Sequence, residues 1–220
     1  MGRSNDSSNT PSLFHKKVNR LLVILGFTIF LGGLFAVPFC YETQTLWYKA
    51  GPDKVLLRAG QLAGLLALAL LVLQIVLSSR TTFLDNLFGR TNMMRWHRTN
   101  GPFIAGAALS HIIMVLAPEG FDNLPIGKKY WPEMVGASLF LLISFMVLSS
   151  HFRSALQLNY NKWRTLHRPI GYLVAVLVLI HVLFVSGSFE QGSPRVVLLS
   201  VFAGLALLIT ASKTKPSNSK

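Results

Sequence analysis

Four histidines carry the chemistry that can be read from this sequence. His97 and His111 are fourteen residues apart, and so are His167 and His181. Each pair opens with His-Arg-x-x-Gly, followed by nine residues and the second histidine, and the second copy is displaced by seventy residues. In a helix of 3.6 residues per turn this spacing puts two imidazoles about 40° apart on one face and roughly 21 Å apart along the axis. Imidazole is a common axial ligand of haem iron, and two per iron give a six-coordinate centre suited to passing single electrons. Two helices with matching pairs can face one another and gather the four rings into two couples, a geometry for two haems. A lone histidine on an apolar face is more often a hydrogen-bonded packing residue. Two equally spaced pairs are poorly explained in that way.

The elements that must position them are apolar runs of membrane length. The chain has 220 residues, 51% hydrophobic and 13% charged, with mean hydropathy +0.48; soluble domains carry about 25% charged residues. Six runs stand out, at 21–39, 55–77, 101–117, 134–150, 170–186 and 194–212, the third and fifth extending back to His97 and His167. Helices are the natural form because a span must satisfy its own backbone polar groups. Six spans put both termini on one side. That side holds fifteen of the twenty-one lysines and arginines but only Asp6 and Asp85 among the eight acids, which makes it the cytoplasmic side. The expected fold is an all-α integral membrane protein of the plasma or inner membrane. Its six-transmembrane-helix bundle covers residues 21–212, with both termini cytoplasmic and polar tails at 1–20 and 213–220. His97 and His167 then belong to the inner leaflet, His111 and His181 to the outer. The connections 79–96 and 151–165 should lie along the inner interface, with Trp96 and Trp163 at headgroup depth.

Positive-inside topology accounts for the net charge of +13, and no aromatic-basic surface motif points to nucleic acid. The single cysteine, Cys40, excludes an intrachain disulfide and covalent c-type attachment, so any haem is held without covalent bonds to the chain. No phosphate-binding glycine loop, H-E-x-x-H or nucleophile motif is present. The chain can carry electrons but has no visible site for taking hydride from a nicotinamide. Arg98 and Arg168, each following an inner histidine, suit haem propionates or simple anchoring equally well. Gly101 and Gly171, one turn further on, would let a flat macrocycle approach or would serve helix packing. Arg58, in the outer part of the second span, has no acidic neighbour nearer in sequence than Asp53 and either snorkels or meets an outer propionate. His15, in the tail, and His151, unpaired at the inner end of the fourth span, are not expected to be ligands.

Two histidine pairs on the third and fifth of six helices, in the pattern His-Arg-x-x-Gly…His, resemble the ferric-reductase-like transmembrane domain. The resemblance covers roughly residues 55–212. It implies two non-covalent b-type haems, the inner on His97 and His167 and the outer on His111 and His181, with Arg58 the counterpart of an arginine beside the outer haem. Ferric reductases and NADPH oxidases of this type carry a fused flavin and nicotinamide domain after the last helix, which this sequence lacks. It looks more like the standalone branch, such as the haem-binding subunit of the methionine sulfoxide reductase system. There the donor is a separate flavoprotein carrying FAD or FMN, or a membrane quinol, and the ligand set can differ, which keeps His151 in view. The function expected is electron passage from the cytoplasmic side to an outer acceptor, as the membrane subunit of an oxidoreductase. One rival is a histidine-based metal or proton transporter, which would need acidic residues near the histidines within the spans. Another is a membrane anchor for a soluble partner.

Overall fold

A computed structural model describes residues 13–79, 81–120, 124–190 and 192–214, all helix, turn or coil. Residues 1–12 and 215–220 of the expected tails, and 121–123 of the outer loop, lie outside the described residues. The elements are α1 (Leu13–Cys40), α2 (Gln44–Trp47), α3 (Gly51–Ser78), α4 (Thr82–Phe88), α5 (Arg90–Leu116), α6 (Trp131–His151), α7 (Tyr160–Val185) and α8 (Gly192–Thr214). Six of these, α1, α3, α5, α6, α7 and α8, are long and apolar enough to cross a bilayer. The chain is an integral, multi-pass membrane protein.

The long helices start before the apolar runs do. α1 begins at Leu13, so Lys16, Lys17 and Arg20 ride on the helix and do not form an irregular tail. Likewise α5 begins at Arg90 and α7 at Tyr160, about two turns ahead of His97 and His167. Local chemistry sets these boundaries. Asn159 caps α7 by accepting from the backbone N–H groups of Asn161 and Lys162. α3 and α6 each open with a proline in the first helical positions and an acid, Asp53 or Glu133, in the first turn, the order that suits a helix N-terminus. Between α4 and α5 the chain turns at Gly89, whose φ of +81° is accessible to glycine and strained for other residues.

α3 is the central helix. It packs most closely against α5, while α6 packs against α7. Leu65, Leu68, Ala69 and Leu71 of α3 meet Leu34, Ile104, Leu139, Ile143, Val174, Val178 and Leu198 from the other long helices in one core. The outward faces of the remaining spans stay apolar: Ile29, Phe103, Leu141, Val176 and Leu207 are all more than half exposed. Such a surface would be an aggregation liability in water; hydrocarbon tails cover it without cost.

Long-range polar bonds tie the two ends. At one end the Arg20 guanidinium donates to the Leu87 carbonyl at 2.5 Å, joining α1 to the α4–α5 corner. At the other, Ser188 donates to the Tyr41 carbonyl at 2.6 Å and the Tyr41 and Ser193 hydroxyls are 2.6 Å apart. The first end, which also holds Arg90, Arg95, Arg98, Arg153, Arg164 and Arg168, is called the basic end below.

Packing of α3 yields a stability test. Leu68 is 2% exposed at the helix centre and Leu207, on α8, is 70% exposed. Leu68→Ala should destabilise the detergent-solubilised protein by about 2 kcal/mol or more through the cavity it leaves. Leu207→Ala should stay within about 0.5 kcal/mol. Unfolding midpoints of the two variants check this.

Candidate functional site: two histidine couples between four helices

The four histidines converge as two couples. The ring centres of His97 on α5 and His167 on α7 are 6.5 Å apart, with an interplanar angle of 68°. Those of His111 and His181, on the same two helices, are 6.4 Å apart at 80°. The first couple lies towards the basic end and the second towards the opposite end. Each couple joins the α3–α5 pair of helices to the α6–α7 pair.

In the couple away from the basic end, both rings are held by backbone carbonyls of a neighbouring helix. His111 Nδ1 lies 2.8 Å from the Gly60 carbonyl of α3, and His181 Nδ1 lies 3.0 Å from the Pro132 carbonyl of α6. A carbonyl only accepts, so Nδ1 carries the proton in each ring and Nε2 keeps its lone pair free. One turn beyond each carbonyl stands a glycine. A Cβ on Gly64 would fall 2.8 Å from His111 Nδ1, and one on Gly136 would collide with His181, 2.8 Å from its Nδ1. Real side chains do not approach so closely. Gly60 adds a third close approach, since a Cβ there would be 2.9 Å from Val115. These glycines set the distance between α3 and α5 and between α6 and α7.

The couple at the basic end is held more loosely. His97 Nδ1 is 3.4 Å from the Gln74 carbonyl, beyond the usual range for an N–H···O bond. The Gln74 amide nitrogen lies 3.3 Å from His97 Nε2 and donates to the His97 carbonyl at 3.0 Å. Asn100 positions that amide, donating to Gln74 Oε1 and to the Leu70 carbonyl at 2.8 Å each. Across the gap, His167 Nδ1 is buried without a hydrogen bond, and the ring packs on Trp163 with centres 4.5 Å apart. Trp163, expected among the headgroups, thus reaches the histidine couple, and its indole nitrogen is buried without a partner too. The Met146 carbonyl accepts from Ser149 at 3.3 Å and from Ser150 at 2.5 Å.

The arginines divide into two sorts. Arg98 and Arg168 stand exposed at the basic end, next in sequence to His97 and His167. Among the described residues neither has a carboxylate partner; the ion pairs there involve Glu42 and Glu119 only. Arg58 does have a partner, one that sequence distance concealed. Its guanidinium donates to Glu42 at 2.7 Å and to the Pro38 carbonyl, and lies over the Phe39 ring. A Cβ on Gly101 would meet nothing nearer than Val147 at 3.5 Å, and one on Gly171 only Met146 at 3.7 Å. Close helix packing therefore does not require glycine at either position.

His151 ends α6 with its ring on Phe152, 4.9 Å between centres, outside both couples, and His15 sits against Phe14 near the start of α1. Glu133 was unforeseen. The run read as beginning at Met134 is a helix beginning at Trp131, so a carboxylate stands beside Pro132, within electrostatic reach of His181 and with one oxygen buried unpartnered. Among the described residues, however, no three His, Cys, Asp or Glu side chains gather as a bare metal ion would need.

Compared with known proteins, residues 63–178 match the family model described as "Ferric reductase like transmembrane component". The match takes in His97, His111 and His167 and stops three residues short of His181. No curated protein and no solved structure matches the chain.

The cradles make a direct prediction. Alanine at Gly136 should push the His181 ring off the Pro132 carbonyl, and alanine at Gly64 should do the same to His111. Imidazole 15N resonances should report the loss of each Nδ1–H···O bond. Gly101→Ala, with room for its Cβ, should leave all four rings in place.

Proposed function

Because the chain belongs to the family of ferric reductase like transmembrane components, whose role is transmembrane electron transfer, we propose that it is a b-type cytochrome with two bis-histidine haems. His97 and His167 hold the inner haem and His111 and His181 the outer. The observation that carries this reading is the separation of the rings. A metal–imidazole bond is about 2 Å and the ligating nitrogen about 1.1 Å from its ring centre, so one iron between two coaxial imidazoles needs centres about 6.3 Å apart. The couples measure 6.5 and 6.4 Å. Two imidazoles alone are too few donors for a bare ion, but they complete the coordination of an iron already held by four porphyrin nitrogens.

Haem bound in this way supplies a one-electron iron couple at each depth. The chain's own residues do the rest. The Gly60 and Pro132 carbonyls fix the tautomers of His111 and His181 and present Nε2. The Gln74 amide, 3.3 Å from Nε2 of His97, has to turn aside for that nitrogen to bind iron, which a glutamine side chain can do. Arg98 and Arg168, with no described carboxylate to satisfy them, are the candidates for propionates of the inner haem. Gly101 and Gly171 keep the inner face clear. Arg58 stands at the outer end as a shared cation, since Glu42 already neutralises much of its charge. The apolar spans exclude water between the couples, so electrons can pass where ions cannot.

In this proposal both termini are cytoplasmic in a plasma or inner membrane, as the distribution of basic residues favours. Electrons arrive from a separate flavoprotein or a quinol and leave to an acceptor outside. A transporter reading gains one point from Glu133, but a single carboxylate beside one histidine provides neither a metal cage nor a relay across the bilayer.

Purified protein expressed with ample haem should show b-type bands in its reduced-minus-oxidised spectrum. His111→Ala or His181→Ala should remove about half the absorbance by deleting the outer haem, and His97→Ala or His167→Ala the other half. A haem-free wild-type protein would overturn the proposal, as would histidine variants that keep the full complement.

A further inference from the structure

We propose that the two centres are unequal: the structure assigns the lower reduction potential to the His111–His181 centre and the higher to the His97–His167 centre. This rests on the haem reading above and adds an ordering that family membership does not supply. Three features of the chain point the same way.

The first is hydrogen bonding to the ligands. An Nδ1–H···O=C bond makes an imidazole a stronger electron donor and so favours ferric over ferrous iron. Both outer ligands make that bond, at 2.8 and 3.0 Å. At the inner couple His97 makes only a 3.4 Å contact and His167 none.

The second is the charge near each couple. Arg98 and Arg168, assigned above to the inner propionates, would cancel the charge of those carboxylates, and Arg95 and Arg164 stand one turn back on the same two helices as further cations. Reduction removes one unit of positive charge from the iron, so nearby cations favour the reduced state. The outer couple instead has the Glu133 carboxylate within reach of His181, which favours the oxidised state.

The third is Arg58, two residues before the Gly60 carbonyl that holds His111. Its ion pair with Glu42 at 2.7 Å cancels most of its field. The outer rings are the more enclosed in the bare protein, which acts in the opposite sense. Haem would fill the space between the rings of both couples, so that difference is not expected to persist.

An electron entering from the inner side would then rest at the centre that His97 and His167 would hold. Its passage outward to the centre of His111 and His181 would run against the internal difference, helped by an inside-negative membrane potential or by an acceptor that removes electrons there. The chain would then hold electrons back from the outer surface until an acceptor is present.

Equilibrium redox titration of the holoprotein, followed in the visible bands, tests this. Wild type should titrate in two steps, with at least a tenfold preference of the electron for one centre, a gap of about 59 mV or more for a one-electron couple. His181→Ala should retain only the higher step and His167→Ala only the lower. Glu133→Gln, in protein with both haems, should raise the lower step and leave the higher one unmoved, which decides the matter if a histidine variant fails to assemble. Coincident midpoints, the reverse assignment, or a Glu133→Gln shift confined to the higher step would overturn the ordering while leaving two haems in place. Absence of haem would instead overturn the function from which it starts.

Discussion

The arrangement depends on hydrogen bonds made across helix interfaces to carbonyls that already belong to a helix. An unsatisfied imidazole N–H in hydrocarbon is expensive, and water is not available to meet it. The helix backbone is the one acceptor always present, because a carbonyl has a second lone pair after its own i+4 bond is made. It lies deep, however, beneath the side chains of the next turn. Gly64 and Gly136 remove that cover, which is why His111 and His181 can approach the Gly60 and Pro132 carbonyls. Burial of the polar ring, close packing of two helices and exposure of Nε2 thus follow from one substitution per helix, a glycine where any Cβ would obstruct.

That device occurs twice in the same sense. Gly60 and Gly64 on α3 correspond to Pro132 and Gly136 on α6, each displaced by seventy-two residues, while the histidines on α5 and α7 are displaced by seventy. The two helix pairs run in parallel, each descending on the carbonyl-bearing helix and returning on the histidine-bearing one. They face one another as two similar halves, so every couple takes one ring from each half. Similarity ends at the basic end. There the Met146 carbonyl, seventy-two residues on from Gln74, is taken by Ser149 and Ser150, and Ser150 leads into His151 where α6 stops. The halves agree where both rings are tightly held and diverge where His167 is left without a partner.

Sequence periodicity revealed the histidine pairs because fourteen residues is nearly a whole number of helical turns, so one regular element fixes the shared face. The six spans were legible for the same reason: length and apolar composition suffice for a helix that must satisfy its own backbone. What could not be read depends on the register between helices. Nothing in the run containing Gly60 and Gly64 says which of its carbonyls will face His111, although the small-residue spacing of the two glycines marked a close approach. The seventy-two-residue offset to Gly136, so near the histidine offset, was the overlooked clue. Glu42 escaped as the partner of Arg58 because it lies sixteen residues away across the α1–α3 corner. Helix ends were misplaced for a different reason. Polar residues such as those at 90–96 and 160–166 end a hydropathy run without ending the helix that carries them.

In the proposed function, charge distribution links insertion into the membrane to the energetics of electrons. Among the described residues, eleven lysines and arginines against one acid, Asp85, stand at the basic end, whereas six cations meet five acids at the other. The second set is nearly neutral as a whole, and three of its cations are directly paired: Lys49 with Glu119, and Lys54 and Arg58 with Glu42. The first has almost nothing to neutralise it. In a low-dielectric slab such a difference is not screened as it would be in water, so the helices between the two ends sit in a field directed along the bundle. In the function proposed above, the residues that favour the cytoplasmic orientation are therefore the same ones that would make a negative charge more stable at one couple than at the other. On that proposal a mutation altering the balance of arginines near His97 or His167 would not be a change of topology alone, because it would also change where an added electron rests.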